Sequence, residues 1–203
     1  MKEESPKDIF ETRCWLYDVI IDPYQVFAEA FSAAGMDFLR RFIKKILHYA
    51  EANEIYCQKS PCDVLLFMRV IRSLIKAADH LKEIKNGAIT VTEADIFNKK
   101  YYRSHYLSSN ELEDFPRFLS IKEFCNPYKV FRKFFKYHDA DEWVHDLEEI
   151  VDSALSESNG ELGLEMICVY SHLVKLTEAA HLINVREVTH IGGILKNRFI
   201  ENC

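Results

Sequence analysis

A chain of 203 residues with 48% hydrophobic and 13% aromatic side chains can bury a substantial core, as one large domain or two small ones. Its net charge of −6 excludes a general field drawing it onto a polyanion, so nucleic-acid contact would have to come from a local patch. Only six Gly and five Pro punctuate it, which suits long helices better than a sheet built from many short turns and predicts an all-α helical bundle.

The first predicted element is a helix over 8–20. Asp22-Pro23 then supplies an N-cap oxygen followed by Pro at the first helical position, where its missing N–H costs nothing, so "PYQVFAEAF" opens a helix that Gly35 can break. Phe38, Leu39, Phe42, Ile43, Ile46, Leu47 and Ala50 recur at helical spacing and predict a longer amphipathic helix. "KSPCD" starts another, with Ser60 as N-cap, Pro61 at the first position and Asp63 in the first turn. It carries Val64, Phe67, Met68, Ile71, Leu74, Ile75 and Ala78 on one face and stops near Asn86-Gly87. The segment 87–114 offers a small strand, "AITV", a helix begun at Thr92 with Asp95 three residues later, and the loop "LSSNELED". A helix over 116–125 follows, and Asn126-Pro127 repeats the cap-then-Pro signal. Asp139 with Glu142 reads as a capping box for a helix carrying Trp143, Val144, Leu147, Ile150, Val151 and Ala154. After Asn159-Gly160 a last helix carries Leu164, Ile167, Cys168, Leu173, Val174 and Leu176; apolar around more of its circumference, it is expected to be the more buried.

One phrase occurs twice. "IDPYQVFAEAF" at 21–31 returns as "CNPYKVFRKFF" at 125–135, with Pro23, Tyr24, Val26, Phe27 and Phe31 matching Pro127, Tyr128, Val130, Phe131 and Phe135. The same shift carries Asp37 onto Asp141, Ile46 onto Ile150 and Ala50 onto Ala154, and "LIKAADHL" is echoed by "LVKLTEAAHL" after a change of spacing. The expectation is a single compact domain, 1–203, made of two duplicated multi-helix halves, 8–86 and 115–190, related by a pseudo-twofold axis. The intervening segment 87–114 belongs to neither copy and is the natural place for a function absent from the repeat. The basic residues of the second phrase, Lys129, Arg132, Lys133 and Lys136, have Gln25, Ala28, Glu29 and Ser32 as counterparts, so they decorate one half only.

Candidate chemistry falls into three classes. "NKKYYRSHY" sets Lys99, Tyr101, Tyr102, Arg103, His105 and Tyr106 together, and tyrosines beside an Arg are what a protein-binding hot spot uses. A helix-turn-helix reading gives Arg40, Arg41, Lys44 and Lys45 to phosphates or base edges, although Val144, His145, Glu148 and Glu149 invert that surface in the second copy. The inversion also gives the two long helices complementary outer faces. Within "RFIKKILH", six residues separate Arg41 from His48. In this the stretch resembles the HEPN ribonucleases, an α-helical family with an Arg and a His near a helix end, and the resemblance implies RNA processing by Arg41 and His48. Phe42 follows the Arg where that family usually has a polar residue, and Asp152 occupies the place of His48 in the second copy. Third, Glu142-x-x-His145 and Glu178-x-x-His181 each place a carboxylate and an imidazole on one helical face, the spacing used in di-iron bundles.

The reading that follows is a non-enzymatic interaction or regulatory module without a cofactor. It would bind a protein partner, or itself, through the segment 95–106 and the groove along the pseudo-twofold axis. RNA or DNA binding or processing is the first alternative and a metal-binding bundle the second. The six cysteines show no Cys-x-x-Cys spacing and read as reduced thiols of a cytoplasmic protein, and no apolar run approaches membrane-spanning length.

Overall fold

The computed structural model describes residues 20, 22–52, 55–57, 61–104, 112–156, 162–191 and 194–195. The helix expected over 8–20, the Ser60 cap, His105, Tyr106 and the start of the long loop lie outside them. The described residues form seven α-helices: α1 (Pro23–Ala33), α2 (Met36–Glu51), α3 (Pro61–Leu81), α4 (Ile121–Cys125), α5 (Tyr128–Tyr137), α6 (Ala140–Leu155) and α7 (Met166–Glu187). Two single 3-10 turns, Glu93–Asp95 and Lys99–Tyr101, interrupt the long connection after α3. The chain also makes a two-residue antiparallel ladder, β1 (His190–Ile191) on β2 (Ile194–Leu195), which the sequence did not announce.

The caps explain most of the boundaries. Asp22 Oδ1 accepts the Tyr24 N–H at 2.9 Å ahead of Pro23. Asp139 Oδ1 accepts from Asp141 and Glu142 while Glu142 Oε2 accepts the Asp139 N–H at 2.8 Å, a complete capping box. Ser120 and Glu123 form another at the start of α4. Gly35 separates α1 from α2.

Three local expectations are corrected. "AITV" pairs with no strand among the described residues and begins with bends, although Val91 is buried. Thr92 and Asp95 do make a capping box, but it closes a single 3-10 turn. Asn126 does not cap α5: its Nδ2 donates to the Lys85 carbonyl at 2.8 Å and to Asn86 Oδ1 at 2.9 Å, tying the end of α3 to the start of α5.

The long helices interleave. α2 packs most extensively on α6, and α3 lies against α7. α2 also packs on α7 and α6 on α3, while α2 and α3 barely touch. α1 covers α3 and α7, and α5 covers the same two helices. Apolar side chains from all of them merge in one core around Phe27, Leu39, Ile43, Ile71, Leu74, Phe131, Phe134 and Trp143. Trp143 stacks on Phe134 at 4.3 Å and donates its indole N–H to the Phe134 carbonyl, so the largest side chain in the core has its polar atom satisfied. α7 is buried from Thr177 to Asn184 without a break, as its apolar circumference requires.

Candidate functional site

The connection 89–124 has little regular structure, yet it is fastened firmly. Val91, Tyr102 and Phe124 form a second apolar cluster with Leu182 of α7, and Ile89, Ile96, Tyr101, Phe115 and Leu119 pack against it. Three polar side chains of α7 then bind the backbone of the connection. Glu178, fully buried, accepts on Oε1 from Arg40 Nε at 2.9 Å and the Arg117 N–H at 2.8 Å, and on Oε2 from the Phe118 N–H at 2.9 Å. Arg40 comes from α2 and extends the clamp, donating from Nη1 to the Glu113 carbonyl at 2.6 Å and from Nη2 to the Phe115 carbonyl at 2.7 Å. One turn on, His181 Nε2–H donates to the Tyr102 carbonyl at 3.0 Å, which fixes the proton on that nitrogen, and the ring stands edge-on to Phe31. Arg186 donates to the carbonyls of Tyr101 and Phe124 and lays its guanidinium 4.6 Å from the Phe124 ring centre.

These contacts set the electrostatics. Burial pulls the Arg186 pKa down to about 10, against the smaller pull of Cys125 and Glu187. Burial also lowers the pKa of Arg40, with Glu178 opposing it. Glu123, 2% exposed, goes the other way: burial alone would raise its pKa, but Lys133 at 2.6 Å, Ser120 and Lys175 outweigh that and hold the carboxyl at about 2. A carboxyl held below its ordinary value contributes stability that is full above about pH 4.5 and is lost as pH falls toward 2. An acid titration of Lys133→Met is therefore expected to show a shallower loss of stability in that window than the native chain, read by circular dichroism.

The candidate residues separate on this frame. Of the partner-binding set, Tyr102 is corrected to a core position, 3% exposed and edge-on to Phe115 at 5.1 Å. Lys99, Tyr101 and Arg103 are partly exposed, and Tyr101 turns its carbonyl to Arg186. The surface of this segment is instead dominated by Phe97, 81% exposed and stacked on Phe115 with ring centres 5.9 Å apart. Of the nucleic-acid set, Arg40 is buried in the clamp and cannot meet a phosphate. Arg41 is paired with Asp37 at 2.8 Å, Lys44 and His48 are exposed, and Lys45 lies 5.5 Å from the Tyr56 ring centre. Of the metal set, Glu142 and His145 stand at the surface, Glu142 in its capping box and His145 beside Glu149 at 3.5 Å. Glu178 and His181 are buried on α7 with their partners described above, so the two pairs do not converge. Among the described residues no group of three or more His, Cys, Asp or Glu is placed to hold a metal ion.

Sequence reasoning missed the clamp, although its signal was present. Arg40 falls between Met36 and Ile43 on the apolar stripe of α2, a position from which an exposed arginine is not expected. Glu178 lies in the stretch of α7 buried from Thr177 to Asn184 and Arg186 just beyond it, where a charge requires a partner. The fold and the clamp together describe a helical scaffold carrying a fixed, irregular segment. Compared with known protein families, characterised proteins and solved structures, the chain matches none.

Proposed function

We propose that the chain is an internally duplicated helical scaffold that binds a protein partner, in a cytoplasmic setting, through the segment 95–106. The duplication is supported by which residues touch. Tyr24 Oη and Tyr128 Oη lie 3.1 Å apart, and they are separated by 104 residues, the interval that relates the repeated phrases. Phe27 and Phe131, another matched pair, have ring centres 6.0 Å apart. Residues that contact their own counterparts are those nearest a twofold axis. The packing of α2 on α7 also has its mate in α6 on α3, and that of α1 on α3 in α5 on α7.

The observation that carries the functional reading is Phe97. A large ring 81% exposed is held on a segment that Arg186 and His181 fasten through the Tyr101 and Tyr102 carbonyls, and it stacks on Phe115, whose own carbonyl the buried Arg40–Glu178 pair holds. A buried ion pair adds little net stability over an apolar replacement, so its use here favours geometry as what is being secured. Preordered aromatic side chains on a fixed backbone lose little entropy on binding, and Phe97 with Tyr101 and the flanking Lys99, Lys100 and Arg103 has the composition of an anchor with a polar rim. Replacing Phe97 by Ser is expected to leave stability within roughly 0.5 kcal/mol of the native chain, as for other exposed sites. Affinity capture from the cells that express the chain should then recover a defined protein set with the native chain and lose it with Phe97→Ser. Recovery of the same set by both, or of nucleic acid alone, would sink the reading.

A further inference from the structure

The basic decoration of α5 is not used by the 95–106 surface. Lys129, Lys133 and Lys136 are exposed at helical spacings of four and three, so they form one stripe about 10 Å long, and α5 contains no acidic residue. In a chain of net charge −6 this is a local positive field. The stripe is braced from beneath. The buried Glu123 carboxylate holds Lys133 Nζ at 2.6 Å and Lys175 Nζ at 3.4 Å, one negative charge against two positive, so it orients these ammonium groups without neutralising the surface. Lys122 adds a further exposed cation from α4.

Exposed apolar side chains lie on and before α4 and on α7, the two helices whose Glu123 and Lys175 join Lys133 of α5. Phe118, 36% exposed, stands edge-on to Tyr170 of α7 with ring centres 5.4 Å apart. Ile167, one turn before Tyr170, is 73% exposed, and Ile121, which opens α4 beside Lys122, is 51% exposed. Exposed cations and apolar side chains on the mutually packed α4, α5 and α7 ask for a partner that is both anionic and apolar.

We infer that this face docks an acidic amphipathic helix of a partner protein, its Asp and Glu residues meeting the lysine stripe and its apolar face covering Phe118, Ile121, Ile167 and Tyr170. The mode is a helix laid along a surface with anchors at i, i+3, i+4 and i+7. Nucleic acid fits less well, because Ile121 and Ile167 have no ring face on which a base can stack. The inference does not depend on the Phe97 surface, and none of its residues is shared with it.

The test is fluorescence anisotropy at physiological salt with the full chain and a labelled helical peptide bearing Glu on one face and Leu and Phe on the other. A scrambled peptide of the same composition, single-stranded RNA, and phosphatidylserine-containing vesicles serve as further probes. Saturable binding of the amphipathic peptide is expected, weaker by roughly tenfold or more for the scramble. Lys129→Glu with Lys136→Glu, and separately Ile121→Ser, should each weaken it by a similar factor, while Lys44→Glu on α2 and Phe97→Ser leave it unchanged. All five positions are exposed, and unaltered thermal melts confirm that each of the four variants is folded. Absent binding, equal binding of the scramble, or binding indifferent to the α4 and α5 variants overturns the inference. So does tighter binding of RNA or vesicles that the same variants abolish, because it assigns the face to that class of ligand.

Discussion

Glu178→Ala is expected to lower the unfolding free energy by about 3–5 kcal/mol, a large part of the 5–15 kcal/mol typical of a domain. The carboxylate is fully buried and its loss strands the Arg40 guanidinium, the Arg117 N–H and the Phe118 N–H together. Each group then carries its desolvation cost without a partner. Arg40→Met should cost a comparable amount, since it leaves a buried carboxylate with two backbone donors and frees the Glu113 and Phe115 carbonyls. The double variant Arg40→Met with Glu178→Met should cost clearly less than the sum, because no uncompensated charge remains. Urea unfolding of the four proteins measures this directly. Additive losses below about 1 kcal/mol each would mean that the clamp is a surface contact in solution.

Phe27→Ala and Phe131→Ala are the second pair. Both rings are fully buried, one on α1 and one on α5, and truncating either leaves a cavity expected to cost about 3–5 kcal/mol. If the two positions are equivalent by duplication, their single costs should agree more closely than those of unrelated core sites. Because the rings meet at 6.0 Å, the double variant should depart from additivity by about 0.5–3 kcal/mol. Equal and coupled losses support a shared axis. Strongly unequal, additive losses would leave the repeated phrase as a local resemblance between two helix starts.

The helices were legible because their signals are local. Asp22-Pro23 and Asp139 with Glu142 act within one turn of the residues they cap, and the apolar spacings of α2, α3 and α6 are properties of single helices, whereas the helix expected over 116–125 starts only at Ile121, where the unread Ser120–Glu123 box caps it. What was illegible depends on distant partners. Arg40 belonged equally to a basic run and to an apolar stripe, and only Glu178, far along the chain, decides between them. "AITV" has the composition of a strand but no neighbouring strand among the described residues, and Val91 clusters with Leu182 instead. Asn126 precedes a Pro as Asp22 does, yet the end of α3 competes for its side chain. Tyr101 and Tyr102 looked alike in sequence; burial separates them.

At the candidate sites the same difference between local and distant information applies. Glu142-x-x-His145 and Glu178-x-x-His181 share one spacing, but the first pair lies on the solvent side of α6 and the second faces the connection. Spacing specifies which residues share a helical face; it does not specify what that face meets.

Buried charges of α7 hold the connection against the bundle through its backbone. Native-state hydrogen exchange at the Arg117 and Phe118 amides, both donors to Glu178, tests it most directly. The native chain should protect both amides well above neighbouring exposed backbone, and Glu178→Gln should release them while amides of α3 and α6 keep their protection. Rapid exchange at Arg117 and Phe118 in the native chain, or protection unchanged in Glu178→Gln, would mean that Glu178 does not hold the connection in place.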